Sequence, residues 1–327
     1  MKTLITGITG FAGSHLAEYI VKNVEDAEVY GSVRWRSNRG NLGAIENKLQ
    51  LLECELRDAA SVRDLIERVK PKLLFHLAGH SYVPASWNCP GDTMTNNIIG
   101  VINILEAVRK LAPGCRVLLA CSSEEYGKVY DNELPIKETN PLRPLSPHGI
   151  SKVAEDFLGY QYFESYGLDV VRTRAFNHAG PRQGEFFVTS NFAKQVAEIE
   201  LGLRVPIVYV GNLEAKRDFT DVRDVARGYW AALQRGKPGE VYQICSGWAY
   251  SMRQVLDILL SYSDQKIEVR VEQHRMRPSD MPVLLGSYKK FQQDSDWEPQ
   301  IPFKQSLADL LNYWRAVLKN KKLAQPS

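Results

Sequence analysis

The chain has 327 residues, 44% hydrophobic and 24% charged, with 41 lysines and arginines against 38 aspartates and glutamates for a net charge of +3. This is ordinary globular composition, long enough for one large α/β domain and a smaller lobe, and the charge excess is too small to argue for nucleic acid, though it suits a local pocket for phosphates. Five scattered cysteines (Cys54, Cys89, Cys115, Cys121 and Cys245) argue against a disulfide framework or a zinc site, and no apolar run is long enough for a bilayer, so a cytoplasmic protein without metal or membrane partner is expected.

The chain begins with Met1-Lys2-Thr3 and enters a strand directly, which reads as lacking a signal peptide. The apolar run Thr3–Thr6 is followed by Gly7-Ile8-Thr9-Gly10-Phe11-Ala12-Gly13 and a helical pattern from Ser14. A strand that stops at a glycine turn and feeds a helix is the geometry that holds a dinucleotide pyrophosphate. Gly7 permits the turn, Gly10 lets backbone approach phosphate, and Gly13 lets the helix lie close to the strand. Gly7, Thr9, Gly10, Phe11, Ala12 and Gly13 are therefore the expected phosphate loop.

Strand and helix patterns then alternate. Strands are expected at Glu28–Val33, Gln50–Cys54, Leu73–Leu77, Arg116–Cys121 and Asp169–Arg174, and helices at Ser14–Lys22, Ala59–Val69, Asp92–Leu111 and Ser151–Tyr166. This predicts an α/β fold, a Rossmann-type doubly wound parallel sheet, with ligands beyond the strand carboxyl ends. The second strand ends in Arg34 and Arg36, whose guanidinium forks suit a ribose 2′-phosphate, so NADP is expected over NAD. After the third strand, Glu55 or Asp58 is expected to face the adenine amino group, and Leu56 to line the cofactor site. Leu77, Ala78 and Gly79, after the fourth, leave room for the cofactor, and Ser81 is a pocket candidate. His76 reads as a satisfied core histidine.

The fifth strand ends Cys121-Ser122-Ser123-Glu124-Glu125-Tyr126-Gly127. Hydroxyls, carboxylates and a phenol are expensive to place at a strand end without a partner, so this end is expected to carry chemistry. Ser146-Pro147-His148-Gly149-Ile150-Ser151-Lys152 opens the next helix, and residues four apart, His148 and Lys152, share a helix face. After Phe176 the alternation loosens. A helix near Ser190–Leu201, a helix at Val222–Leu233, a strand near Val241–Cys245 returning to the sheet and a packing helix Phe303–Leu318 are expected. Residues 1–175, with 221–245 returning, read as the NADP-binding domain, and 176–220 with 246–327 as a smaller α/β substrate-binding lobe.

These motifs together, with Phe176–Gly184, Phe187-Val188-Thr189, Gly211–Phe219 and Arg277–Asp280, resemble the extended short-chain dehydrogenase/reductases that modify nucleotide sugars. Within them the chain is most similar to the GDP-sugar branch: GDP-mannose 4,6-dehydratase, its GDP-heptose relatives and the GDP-4-keto-6-deoxymannose reductase. The resemblance implies an NADP(H)-dependent enzyme on a GDP-linked sugar, a homodimer or homotetramer, and catalysis by a Tyr–Lys pair with a Ser or Thr. Lys152 and either Ser122 or Ser123 match, and Lys152 would also hold the nicotinamide ribose. His148 stands in place of the tyrosine. A hydroxyl of Tyr126 or Tyr82 would be the compensating group, and otherwise the protein would be a weakened one that still binds ligand. Glu124 matches the dehydratases' base for C5, and of two adjacent carboxylates on a strand only one would face the site. Arg217, Arg277 and Lys194 are expected on the diphosphate with Asn177, Val188 lines the sugar site, and Asp280 faces the nucleotide ribose. The 4,6-dehydratase reading leads, with the NADPH-dependent 4-keto-reductase as its alternative.

Overall fold

The computed structural model describes residues 1–275 and 281–324. Strands run β1 (Lys2–Thr6), β2 (Glu28–Val33), β3 (Leu49–Glu53), β4 (Leu73–His76), β5 (Arg116–Ser122), β6 (Val170–Ala175), β7 (Asn177–Ala179), β8 (Ile207–Val210), β9 (Lys216–Asp221), β10 (Val241–Ile244), β11 (Ala249–Ser251), β12 (Glu268–Val271) and β13 (Val283–Leu284). Helices run α1 (Phe11–Asn23), α2 (Ala59–Val69), α3 (Val83–Asn88), α4 (Pro90–Met94), α5 (Gly100–Leu111), α6 (Pro147–Tyr166), α7 (Val188–Glu200), α8 (Val222–Arg235), α9 (Met252–Leu260), α10 (Lys289–Ser295) and α11 (Phe303–Ala324).

Seven strands form one parallel sheet in the order β10-β6-β5-β4-β1-β2-β3. The order reverses between β1 and β4, and a crevice opens at such a switch point. Register lines up the carboxyl ends there: Thr6 lies opposite His76 and Ser122 opposite Ala175. The central strands β1, β4 and β5 are apolar on both faces because helices cover both. Ile5, Phe75 and Leu118 pack with α1 and α8, while Leu4, Leu74 and Leu119 pack with α2 and α5. Burying one such aliphatic side chain contributes about 1.5–3 kcal/mol, so the sheet is a stiff platform for the loops at its carboxyl edge.

The carboxyl-terminal lobe has its own core, where Phe192, Leu256, Leu307 and Leu311 bring α7, α9 and α11 together. Its strands β7, β9, β11 and β13 make a small sheet, and β8 pairs with β12. Periodicity did not predict these pieces, since all but the six-residue β9 are strands of two to four residues, which carry too little pattern to read.

Two elements depart from expectation at functionally placed residues. The helix expected at Asp92–Leu111 is helical from Pro90 but contains a π-helical turn, Thr95–Ile99, that carries Asn97. Such single π turns concentrate at functional sites. The helix expected from Ser151 begins at Pro147, with Ser146 Oγ accepting the Gly149 N–H at 3.0 Å. Proline at the first helical position and a serine cap before it are a favourable start. His148 is therefore in the first helical turn.

Candidate functional site

The amino-terminal loop follows the geometry of a phosphate cradle. Gly7 has φ +71°, and a Cβ there would lie 2.8 Å from the Ala78 nitrogen; one at Gly13 would overlap the Gly7 carbonyl. Both positions demand glycine for the turn and the close helix approach. The Gly10 N–H closes the turn on Gly7 O at 2.9 Å. Gly10 caps α1 without any side-chain hydrogen bond, and no acidic residue lies in the first turn. The amino-terminal donors of α1 are thus open to an anion.

That loop lines a cavity of about 630 Å³ running along the sheet edge. Gly7, Thr9, Gly10, Phe11, Ala12, Gly13, Arg34, Glu55, Leu56, Leu77, Ala78, Gly79 and Lys152 all line it. So do Ser81, Ser122, Glu124, His148, Asn177, Val188 and Arg217. Arg36 lines instead an adjoining cavity of about 300 Å³ that it shares with Arg34 and Glu55. There it has φ +62° and lies over the Trp35 ring, 4.1 Å from its centroid. The donor set fits a dinucleotide: an uncapped helix amino terminus, small residues where the chain crosses the sheet edge, and cations at the far end. A Cβ on Gly79 would stand 3.6 Å from the Lys152 Nζ, so that crossing keeps the lysine within the cavity's reach.

At the other end β5 feeds a 3-10 turn, Ser123–Glu125, rather than continuing as a strand. Ser122 caps it, its Oγ accepting the Glu124 N–H at 3.2 Å, while Glu125 accepts the Ser122 N–H at 2.8 Å. The turn sorts the candidates. Ser122 and Glu124 line the cavity, whereas Ser123 and Glu125 are buried behind it. Ser123 is therefore the half of the expected serine pair that does not reach the site. Glu125 is committed to Arg174 at 2.9 Å, and Asp156 binds the same guanidinium at 2.8 Å. Burial and the facing Asp156 push the Glu125 carboxyl well up. Cys121, Glu125 and Asp156 converge there, but Arg174 supplies the cation.

Helix α6 delivers His148 and Lys152. A Cβ on Gly149 would lie 2.7 Å from Glu124 O, so the helix start presses on the Ser122–Glu125 turn. Lys152 Nζ donates to Ala120 O at 3.0 Å and to Glu155 Oε2 at 2.8 Å. Burial pulls its pKa down, but the carboxylate of Glu155 beside it foremost outweighs this and holds it above the ordinary lysine value. An ammonium has three donors, which leaves one beyond these two bonds.

His148 is 3% exposed, and its Nδ1 lies 2.9 Å from the His80 carbonyl. A carbonyl only accepts, so Nδ1 carries the proton and Nε2 of the neutral ring carries the lone pair. Burial and the Lys152 charge lower its pKa to about 3. The His80 peptide is itself pinned by Asn97, whose Oδ1 accepts the His80 N–H at 2.7 Å and whose Nδ2 donates to Ser151 Oγ at 2.9 Å. The π turn thus fixes the backbone that fixes the imidazole.

The remaining candidates divide. His76 is a core histidine, bonded to Thr6 Oγ1 at 2.9 Å. Tyr126 is fully buried with its hydroxyl held by Arg174 and Gln243, and is absent from the cavity wall; Tyr82 lines the cavity beside Phe186 and Phe187. Lys194 is not brought to the site. It is paired with Glu185 and Glu198 and lies over the Trp314 ring, because its turn of α7 faces α11. Arg217 lines the cavity from β9 and donates to Met281 O at 2.7 Å. Arg277 and Asp280 lie outside the described residues.

Sequence reasoning missed Arg182 and His15. Arg182, at φ +73°, lines the cavity, donates to Asn41 O at 3.0 Å and binds Glu18. His15 Nε2 donates to Pro181 O at 2.9 Å, and burial and Arg182 lower its pKa to about 4. These contacts fasten the lobe to α1. The only signal in the sequence was a lone histidine in the first helix.

Comparison with known proteins places these features in a lineage. The GDP-mannose 4,6 dehydratase family model matches residues 4–310. GDP-6-deoxy-D-mannose reductase of Pseudomonas aeruginosa is 31% identical over 320 residues, covering 98% of this chain and 99% of its own. Human GDP-mannose 4,6 dehydratase is 31% identical over 341 residues, 94% of this chain and 90% of its own. Among solved structures, RMD from Pseudomonas aeruginosa complexed with NADPH superposes with a TM-score of 0.85 at 29% identity, covering 97% of this chain and 99% of that one.

Proposed function

The chain belongs to the GDP-mannose 4,6-dehydratase family, and from that premise we propose that it is an NADP-dependent GDP-sugar 4,6-dehydratase. The reading is supported by relatives that are named dehydratases and a reductase, and by the NADPH complex of a structural neighbour. The observation that carries the choice between them is the protonation pattern of His148. A reductase must give a proton to the oxygen at C4, whereas a dehydratase only takes one there and leaves C4 a ketone. His148, with Nδ1–H spent on His80 O, presents the lone pair of Nε2 as an acceptor.

A nicotinamide dinucleotide in the cavity would supply the hydride acceptor for C4 and return that hydride to C6. Lys152 orients the ribose with its remaining donor, and Ser122 hydrogen-bonds the C4 oxygen. His148 Nε2 takes the C4 hydroxyl proton. The C4 ketone acidifies C5–H, and Glu124 takes that proton and delivers it to the departing C6 hydroxyl, which leaves as water; once C6 has received the hydride, the enolate takes a proton back at C5, which balances the one lodged on His148 Nε2. Arg34 and Arg36 select the 2′-phosphate, and Arg217 and Asn177 hold the sugar diphosphate. The exposed Ile150, Phe157 and Tyr160 on α6 support association as a homodimer.

The alternative, a reductase of GDP-4-keto-6-deoxy sugars, is favoured by one observation: the alignment spans 99% of the reductase with little length difference. Incubation with GDP-mannose and catalytic NADP separates the two. Loss of one water with no net NADPH change is expected, while NADPH consumption seen only with a 4-keto sugar would establish the reductase. Binding without turnover of either would leave a protein that has lost catalysis at His148.

A further inference from the structure

His148, Lys152 and Glu155 occupy positions i, i+4 and i+7 of α6, one face of the helix. Glu155 has no exposure, holds Lys152 at 2.8 Å, and its Oε1 has no hydrogen-bond partner. A buried carboxylate on the lysine is hard to explain if the lysine's task is to favour a phenolate. A phenol that loses its proton becomes an anion and needs an unopposed cation beside it. An imidazole that gains a proton becomes a cation, and the same lysine works against it.

We propose that Glu155 is the positioning residue that adapts this site to histidine: its carboxylate, clamped on Lys152, offsets the ammonium so that His148 Nε2 accepts the proton of the sugar C4 hydroxyl. The inference rests on the C4 chemistry proposed above. In that step the O–H bond breaks and an Nε2–H bond forms, and the freed electron pair makes the C4 carbonyl as the hydride leaves for the nicotinamide.

The other charges near the pair are committed elsewhere. Asp156 is held by Arg172 and Arg174, and Glu125 by Arg174. His76, across on β4, is kept neutral by burial and by Lys152. Cys121 is driven by burial toward its neutral thiol. Glu124 lines the same cavity from the β5 turn. Burial pushes Glu155 up to about 7 against the pull of Lys152, so its charge develops as pH rises through neutrality.

The test is a double-mutant cycle between positions 148 and 155. In the native histidine background Glu155→Gln is expected to lower kcat about tenfold and to abolish a rise of kcat near pH 7, with NADPH affinity retained. Combined with His148→Tyr, the same change is expected to raise kcat and to lower the pKa of the introduced phenol by about one unit, read by absorbance against His148→Phe. Equal losses in both backgrounds, or a phenol pKa indifferent to Glu155, would overturn the proposal. Should Glu155→Gln fail to fold, Glu155→Asp, whose shorter side chain draws the carboxylate back from Lys152, is read instead: a phenol pKa lower than in His148→Tyr alone supports the proposal, and one unchanged from it sinks it. The phenol titration needs no turnover. If no variant processes a GDP-sugar, the dehydratase reading fails while the titration still decides Glu155.

Discussion

The two ends of the cavity are built on opposite electrostatic terms. At the proposed dinucleotide end the charges are in water: Arg34 and Arg36 are exposed, and the glycine loop offers backbone N–H groups. At the proposed catalytic end they are buried and paired, Lys152 with Glu155 and Arg174 with Glu125 and Asp156. The contrast teaches that the same residue types do different work by burial. Exposed cations choose a ligand and weaken with salt, whereas buried ones set proton affinities a few ångströms away.

The sharpest way to break the comparison is Glu124→Gln. If the catalytic end alone carries the chemistry, dehydration should fall about a thousandfold while NADPH binding, read by fluorescence titration, stays unchanged. Retained dehydration would remove Glu124 from the role.

Acid tests the same division through stability. His15, His76 and His148 are held near 4, 3 and 3, below the ordinary histidine value of 6.5, by burial and by Arg182 or Lys152. Below about pH 6.5 the unfolded chain binds protons that the folded chain refuses, so stability must fall as pH drops from 6.5 toward 4. Each histidine contributes at most about 1.4 kcal/mol per pH unit. Urea midpoints at pH 7 and pH 5 measure it, and His76→Asn should flatten the difference; a midpoint that does not move would contradict the buried neutral assignments.

Asn97→Ala sharpens the comparison further. Losing the anchor of His80 should lower kcat about tenfold through His148, with a smaller change in KM. An effect on cofactor affinity alone would place Asn97 at the other end of the cavity. Arg34→Ala should cost about fivefold in NADP affinity and little for NAD, an effect that shrinks with salt. Smallest of all, Lys194→Ala should leave diphosphate affinity unchanged, because the lysine is engaged by Glu185 and Glu198; a clear drop would mean the lobe rearranges around substrate.

Much of the site was legible before folding. Gly7, Gly10 and Gly13 are readable because a phosphate turn restricts the residue type itself, and the apolar runs of β1, β4 and β5 are readable because parallel strands are buried on both faces. Ser122 against Ser123, and Glu124 against Glu125, were not separable, because the choice depends on a 3-10 turn replacing strand alternation. Lys194 looked like a phosphate ligand because the sequence shows a charge and not its partners.

By itself the sequence determined the parallel sheet and the position of the glycine cradle, since each follows from local composition and spacing, while the histidine at 148 stood out only against the family it resembles. Only the tertiary structure decided what that histidine can do. Its tautomer comes from a carbonyl 68 residues away in the chain, pinned by an asparagine on another helix. Its proton affinity comes from burial and from a lysine whose charge a buried glutamate opposes. Proton affinity is set by the field of neighbours, and neighbours are a property of the folded chain.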